Sequence, residues 1–137
     1  MTRIAIIGAG MAGLTLARQL RDTARVTVFE KSRGFGGRMA TRSAPPYAFD
    51  HGAQFFIAKS PAFQSKVEEW LQLGLVQSWN VRFAEFERDT VVVARDWDDS
   101  RPHYVGVPDM QHIGQHLADG SDVKLNTTVQ TLHRLQD

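Results

Sequence analysis

The junction between an apolar tetrad, Ile4-Ala5-Ile6-Ile7, and the hexapeptide Gly8-Ala9-Gly10-Met11-Ala12-Gly13 constrains this fold more than any other feature of the chain. An apolar run without polar alternation reads as a strand buried on both faces of a parallel sheet. The three glycines then stand in G-x-G-x-x-G spacing: the first permits a tight turn, the second lets a pyrophosphate approach the backbone, and the third lets the following helix pack close to the strand. Leu14, Ala17 and Leu20 recur at helical spacing with Arg18 and Arg21 on the exposed side, and Val26 to Phe29 forms a second β-branched run. Strand, helix and strand within 30 residues suit a right-handed crossover between parallel strands. Free N–H groups at the helix start then face an anion. Glu30 ends the second strand 17 residues beyond Gly13, where a carboxylate accepts hydrogen bonds from ribose hydroxyls and repels a 2′-phosphate.

The next stretch separates the dinucleotide possibilities. Lys31 to Arg42 carries Gly34, Gly36 and Gly37 with Lys31, Arg33, Arg38 and Arg42 and no acid, and reads as a basic loop running into a helix start. Paired glycines before Arg38 again allow close backbone approach, and a guanidinium fork can bind a pyrophosphate from its other side. A nicotinamide-binding domain does not require this second cluster; a solvated basic turn is the alternative. The expected fold class is α/β, a Rossmann-like FAD/NAD(P)-binding domain with a parallel sheet.

Downstream, Ala44-Pro45-Pro46 reads as a turn and Tyr47 to Asp50 as a short strand. Ser60-Pro61 supplies an N-cap and a proline at the first helical position of an amphipathic helix carrying Phe63, Val67, Trp70 and Leu71, with Gly74 as its stop. Val81 to Phe86 and Thr90 to Ala94 read as strands around Glu87-Arg88-Asp89, followed by a charged loop from Asp96 to Pro102. Pro108-Asp109 opens a helix marked by Met110, Ile113 and Leu117, and strands are expected at Val123 to Leu125 and Thr127 to Leu132.

Composition narrows the chemistry. With 137 residues and 42% hydrophobic residues, one core fits and two do not. A net charge of +1 provides no global field for nucleic acid, and the short basic loop is weak support for such a partner. The absence of cysteine removes disulfides, thiol nucleophiles and Cys metal sites, and permits a reducing compartment. The longest uncharged apolar run, Ile4 to Leu14, has 11 residues, too short to span a bilayer. His112 and His116 have metal-ligand spacing but lack the glutamate of H-E-x-x-H and a third ligand, so no metal site is expected. His51 reads as a side chain pointing away from the site. Phe55-Phe56, Trp70, Trp79 and Trp97 could line an aromatic cage, although Phe63, Trp70 and Leu71 are more simply core.

The order G-x-G-x-x-G, Glu30-Lys31, Arg33-x-x-Gly36-Gly37-Arg38-Met39 and Asp50-x-Gly52-Ala53-Gln54-Phe55, with Tyr104-Val105-Gly106-Val107-Pro108-x-Met110, resembles the N-terminal part of flavin-containing amine oxidases, most closely the renalase-like branch. Asp109 departs from the glycine many such sequences carry there. The resemblance implies an extended FAD with its ribose at Glu30, its pyrophosphate at Gly8 to Gly13 and Arg38, and its isoalloxazine near Gly52 to Phe55. Ala12, Arg38, Gln54 and Phe55 are then the leading direct contacts, with Met11, Lys31, Arg33, Gly36, Gly37, Met39 and Ala53 also in the site. Val129 stands where such proteins pair a strand backbone with adenine.

On this reading the chain is an FAD-dependent oxidoreductase moving hydride from a small amine or a dihydronicotinamide-type substrate to FAD and on to oxygen. Its partners are small molecules, its expected location is cytoplasmic, and its catalytic side chains are unknown. The implied division is 1–57 and 105–137 as two segments of the FAD-binding domain, with 58–104 as a partial substrate-domain insertion. Members of that family are much longer, so the chain reads as a fragment. An NAD(P)-dependent dehydrogenase and a non-catalytic nucleotide-binding fragment are the alternatives.

Overall fold

The structure, a computed structural model, describes residues 1–97 and 100–134. Its central unit is the expected strand–helix–strand: β1 (Arg3–Ile7), α1 (Met11–Leu20) and β2 (Arg25–Phe29), with β1 and β2 parallel and Ile6 opposite Val28. A third parallel strand, β9 (Asp122–Lys124), pairs with the other edge of β2, giving the order β1-β2-β9. Leu14 and Ala17 of α1 are buried in one cluster with Ile6 and Val28, while Ile4 and Val26 pack at its margin. This is a Rossmann-like α/β fold.

The sheet differs from expectation in one respect. β1 is buried on one face, not two: Ile6 is 8% exposed, whereas its neighbour Ile7 is 55% exposed. Alternate side chains of a strand point to opposite faces, and among the described residues the helices supply a layer for the Ile4/Ile6 face.

The loop after β2 also departs from expectation. Lys31 to Arg42 does not run into an α-helix: Gly36 and Gly37 take positive φ (97° and 56°), a 3-10 turn covers Gly37–Met39, and Ala40 is extended. The chain then enters β3 (Thr41–Ala44), unrecognised in the sequence, which forms a hairpin with β4 (Tyr47–Asp50) across the proline turn.

The next helix, α2 (Pro61–Gln72), starts and stops where its sequence signals stand. Ser60 Oγ accepts the Phe63 N–H at 3.3 Å. Gly74 (φ 67°) closes the helix, with Gly74 N–H donating to the Leu71 carbonyl and Leu75 N–H to that of Trp70, a Schellman end. Ser60→Ala is expected to lower stability by about 1 kcal/mol, the usual worth of such a cap; urea unfolding read by circular dichroism measures it. An unchanged midpoint would mean that Pro61 alone sets the helix start.

β5 (Val76–Ser78) was also unrecognised, because three residues carry too little periodicity; it pairs antiparallel with β8 (Tyr104–Gly106). Between them β6 (Arg82–Glu87) and β7 (Thr90–Asp96) make a separate hairpin. Of the charged loop expected at Asp96 to Pro102, Asp98 and Asp99 lie outside the described residues.

α3 (Gln111–Ala118) buries Ile113 and Leu117 against the common core, which joins Val67, Trp70 and Val76 to the residues of the parallel sheet. Asp109 serves the helix start: its Oδ1 accepts the His112 N–H at 3.3 Å. The far end is capped by Arg18, expected to be exposed; it is half-buried, and its Nη1 donates to the His116 carbonyl at 2.9 Å. After β9, Asn126 N–H donates to the Ser32 carbonyl and Thr127 N–H to the Glu30 carbonyl. There the ladder ends, and the strand expected at Thr127 to Leu132 does not form, because it has no partner among the described residues.

Candidate functional site

Three glycine-bearing segments meet at the C-terminal ends of β1 and β2, and each glycine has a distinct steric reason. Gly8 takes φ 100° to turn the chain off β1. A Cβ on Gly13 would fall on the Gly8 carbonyl oxygen and crowd Ile6, so helix and strand approach as closely as they do only with hydrogen there. At Gly10 the position of a Cβ has nothing within 4 Å, so this residue borders open space. Above that space stands the start of α1, whose N-cap Gly10 provides no side-chain cap and whose first turn holds no acid. The N–H groups of this first turn therefore have no N-cap side chain competing for them and no acid within the turn itself, an arrangement open to an anion.

The second glycine segment is fastened to the first. Gly36 N–H donates to the Ala9 carbonyl at 2.9 Å, and Gly10 and Gly36 form a parallel bridge. A Cβ on Gly37 would sit 3.3 Å from Gly10 Cα. From behind, α3 presses on this segment through Gly114, where a Cβ would stand 2.8 Å from Gly36 Cα. The third segment closes on the second: Ala53 N–H donates to the Arg38 carbonyl at 2.8 Å, and Gly52 leaves no room for a side chain against it.

Glu30 is 7% exposed, and its carboxylate holds this assembly together. Oε2 accepts the buried Ala9 N–H at 2.7 Å, while Oε1 accepts the Ser32 N–H at 2.8 Å and the Ser32 hydroxyl at 2.7 Å. Burial pushes the carboxyl pKa up, but the hydrogen bonds from Ser32 and Ala9, aided by the Lys31 charge, outweigh it and hold the group below its ordinary value. A carboxylate offers about four acceptor positions, so three internal bonds leave capacity for a ribose hydroxyl. This fastening role was not foreseen; the serine two residues after the acid was its only local signal.

An open groove of about 1030 Å³ follows these segments, lined by Gly8, Gly10, Met11, Ala12, Gly13, Glu30, Lys31, Gly36, Gly37, Arg38, Met39, Gly52 and Ala53, with Ile7 added. Met39 contributes there although its side chain is 8% exposed and belongs to the core. The Arg38 guanidinium has no ion-pair partner among the described residues. Four expected contacts stand elsewhere. Arg33 lines an adjoining concavity of about 540 Å³ with Thr41, Arg42 and His51, which shares Glu30, Lys31 and Gly37 with the groove. Gln54 is exposed and Phe55 joins an aromatic group with Trp79, Trp97 and His103. Val129 lies half-buried in an irregular stretch past β9.

Two residues outside the expected set position the site from behind. Asp50 accepts the Met110 N–H at 3.2 Å and the Thr41 hydroxyl at 2.6 Å, while Thr41 Oγ1 accepts the Gln111 N–H at 3.2 Å. The β3–β4 hairpin thus caps α3, the helix that supports Gly36. Both histidines of α3 have local structural surroundings: His112 Nδ1 is 2.9 Å from Asp109, and burial followed by the Arg18 charge lowers the His116 pKa. Among the described residues no group of three or more His, Asp or Glu side chains converges as a metal site. No helix among them is long and apolar enough to cross a membrane.

Comparison with known proteins agrees with this geometry. Residues 6–71 match the family of NAD(P)-binding Rossmann-like domains. Among solved structures, the CLA-producing fatty acid isomerase from P. acnes is 25% identical, with a TM-score of 0.52 over 67% of this chain and 22% of that one. FqzB is 14% identical, with a TM-score of 0.60 over 98% of this chain and 30% of that one. CtdE, solved in complex with FAD and a substrate, is 18% identical, with a TM-score of 0.55 over 92% of this chain and 30% of that one. The chain therefore spans less than a third of the length of these structures.

Proposed function

We propose that the chain is the dinucleotide-binding part of an FAD-dependent oxidoreductase of the amine oxidase-like, renalase-like type. The observation that carries this reading is the second wall of the groove: Gly36 tied to Ala9, with Arg38, which has no ion-pair partner among the described residues, and then Gly52-Ala53 continuing the groove beyond the α1 N-terminus. That wall supports a ligand longer than the phosphate turn alone would hold. CtdE, a neighbour in fold, is known with FAD bound, which agrees with the choice of dinucleotide.

The residues fit the group in charge and in space. The α1 N-terminus and Arg38 supply donors for a pyrophosphate, Gly10 leaves its path open, and Glu30 retains an acceptor for a ribose hydroxyl while repelling a 2′-phosphate. Lys31 adds positive charge at the mouth. Gly52 and Ala53 continue toward the reactive end, with Gln54 and Phe55 beyond them, and Arg33 and Val129 belong to the adenosine side. When bound, FAD would supply the hydride-transfer chemistry, with a small amine or a dihydronicotinamide as donor and oxygen as final acceptor. Residues 58–104 then form part of a substrate-binding unit, and the location that goes with this reading is cytoplasmic, a reducing compartment that a chain without cysteine tolerates.

Absorption and fluorescence titrations with FAD, NAD and NADP test the reading. Saturable FAD binding at least about tenfold tighter than that of NAD is expected, a difference of about 1.4 kcal/mol. Tighter binding of NAD would replace this reading with that of an NAD-dependent dehydrogenase.

A further inference from the structure

A second concavity, of about 500 Å³, opens between α1, α2 and the end of α3, and has Met11 as the one lining residue it shares with the groove at the glycine turn. That volume lies within the range of small-molecule sites. Its apolar wall is made by Phe63 and Trp70, packed edge to face with ring centroids 6.0 Å apart, and by Leu73, which is 65% exposed. Three formally charged residues, Arg18, Lys66 and Glu69, border it.

The charges are unequally matched. Lys66 and Glu69 are paired with each other at 2.5 Å. Arg18 uses Nη1 on the His116 carbonyl at 2.9 Å and has no carboxylate partner among the described residues. A guanidinium has five donors in a rigid fork, so fixing one nitrogen against the end of α3 leaves the others oriented and available. A fixed cation beside an aromatic and aliphatic wall is complementary to one negative charge carried on an apolar body.

We propose that this concavity binds a small amphiphilic carboxylate, with its acid group on Arg18 and its alkyl or aryl body against Phe63, Trp70 and Leu73. The site is separate from the dinucleotide groove but shares Met11 with it, so its occupant rests against the first residue of α1.

Calorimetric titration of the 137-residue chain with 4-phenylbutyrate and with 4-phenylbutylamine, without added dinucleotide, tests the proposal. The two probes share one body and differ in the sign of their charge. Saturable binding of the acid is expected, with the amine at least about tenfold weaker by the loss of a charge-assisted contact. Leu73→Glu places a like charge at the mouth on an exposed position and should weaken the acid by a similar factor while leaving the circular dichroism spectrum unchanged; Arg18→Lys should retain part of the preference. Equal binding of acid and amine, absence of saturation in the millimolar range, or indifference of the acid to Leu73→Glu would each overturn the assignment.

Discussion

Gly13→Ala is expected to destabilise the chain by about 2 kcal/mol, and Gly10→Ala to leave its stability almost unchanged. The two glycines stand in one turn three residues apart, but a methyl group meets different surroundings at each. At Gly13 it meets the Gly8 carbonyl and Ile6, and a backbone oxygen cannot swing aside as the tip of a side chain can. Overpacking of this kind costs about 3 kcal/mol or more, against about 1 kcal/mol recovered from the better helix propensity of alanine. At Gly10, φ is −82° and nothing lies within 4 Å of the methyl position, so the fold accommodates it.

The order reverses for the ligand. A methyl on Gly10 projects into the space proposed for the pyrophosphate, and FAD affinity should fall at least about tenfold, or about 1.4 kcal/mol. Urea unfolding and FAD titration of both variants separate these effects. A Gly10→Ala protein that is stable and binds FAD normally would remove the pyrophosphate from this turn.

The second large effect is at Glu30. Glu30→Ala takes the acceptor from the fully buried Ala9 N–H, at a cost of about 1–3 kcal/mol. It also removes the proposed ribose acceptor, weakening FAD by a further 1–3 kcal/mol, or about fivefold to 150-fold. Glu30→Gln keeps the shape and one acceptor oxygen, so it serves either the Ala9 or the Ser32 donors and only part of the stability should survive, while FAD binding still weakens. If both variants bind FAD as the parent does, Glu30 is purely a fastening.

Acid supplies an independent check. Because hydrogen bonds and Lys31 outweigh burial and hold the folded pKa below 4.5, the unfolded chain takes up this proton first as the pH falls. The stabilisation is therefore complete above about pH 4.5 and is lost as pH drops through the folded value. The parent should lose more stability than Glu30→Gln between about pH 6 and about pH 3. Parallel stability curves would place the acid sensitivity in another group.

These two sites also mark how far sequence reading reaches. Gly8 to Gly13, Ser60-Pro61 and Gly74 were legible because each acts within a few residues: a turn, an N-cap, a helix stop. Glu30 was legible as a candidate ribose ligand but not as the acceptor of Ala9 N–H, since that bond spans 21 residues and needs the helix and both strands in place. Asp50 was noticed within a motif, yet its work is to cap a helix 60 residues away. β3 and β5 owe their existence to partners in other segments, and no periodicity in three or four residues could announce them. That Gln54, Phe55 and Val129 do not line the main groove has the same origin: linear order along a loop does not say toward which side each residue turns.

The hook between Glu30 and Ala9 bears on the order of folding. Closing a flexible loop costs entropy that grows with the logarithm of its length. Glu30 reaches Ala9 across 21 residues, whereas the contact of Thr27 with Asp122, beside the β2–β9 ladder, spans 95. The longer closure costs about 1.3 kcal/mol more. The glycine turn can thus take shape once the segment from β1 through Ser32 is free to move, with β9 adding to a strand edge that already exists.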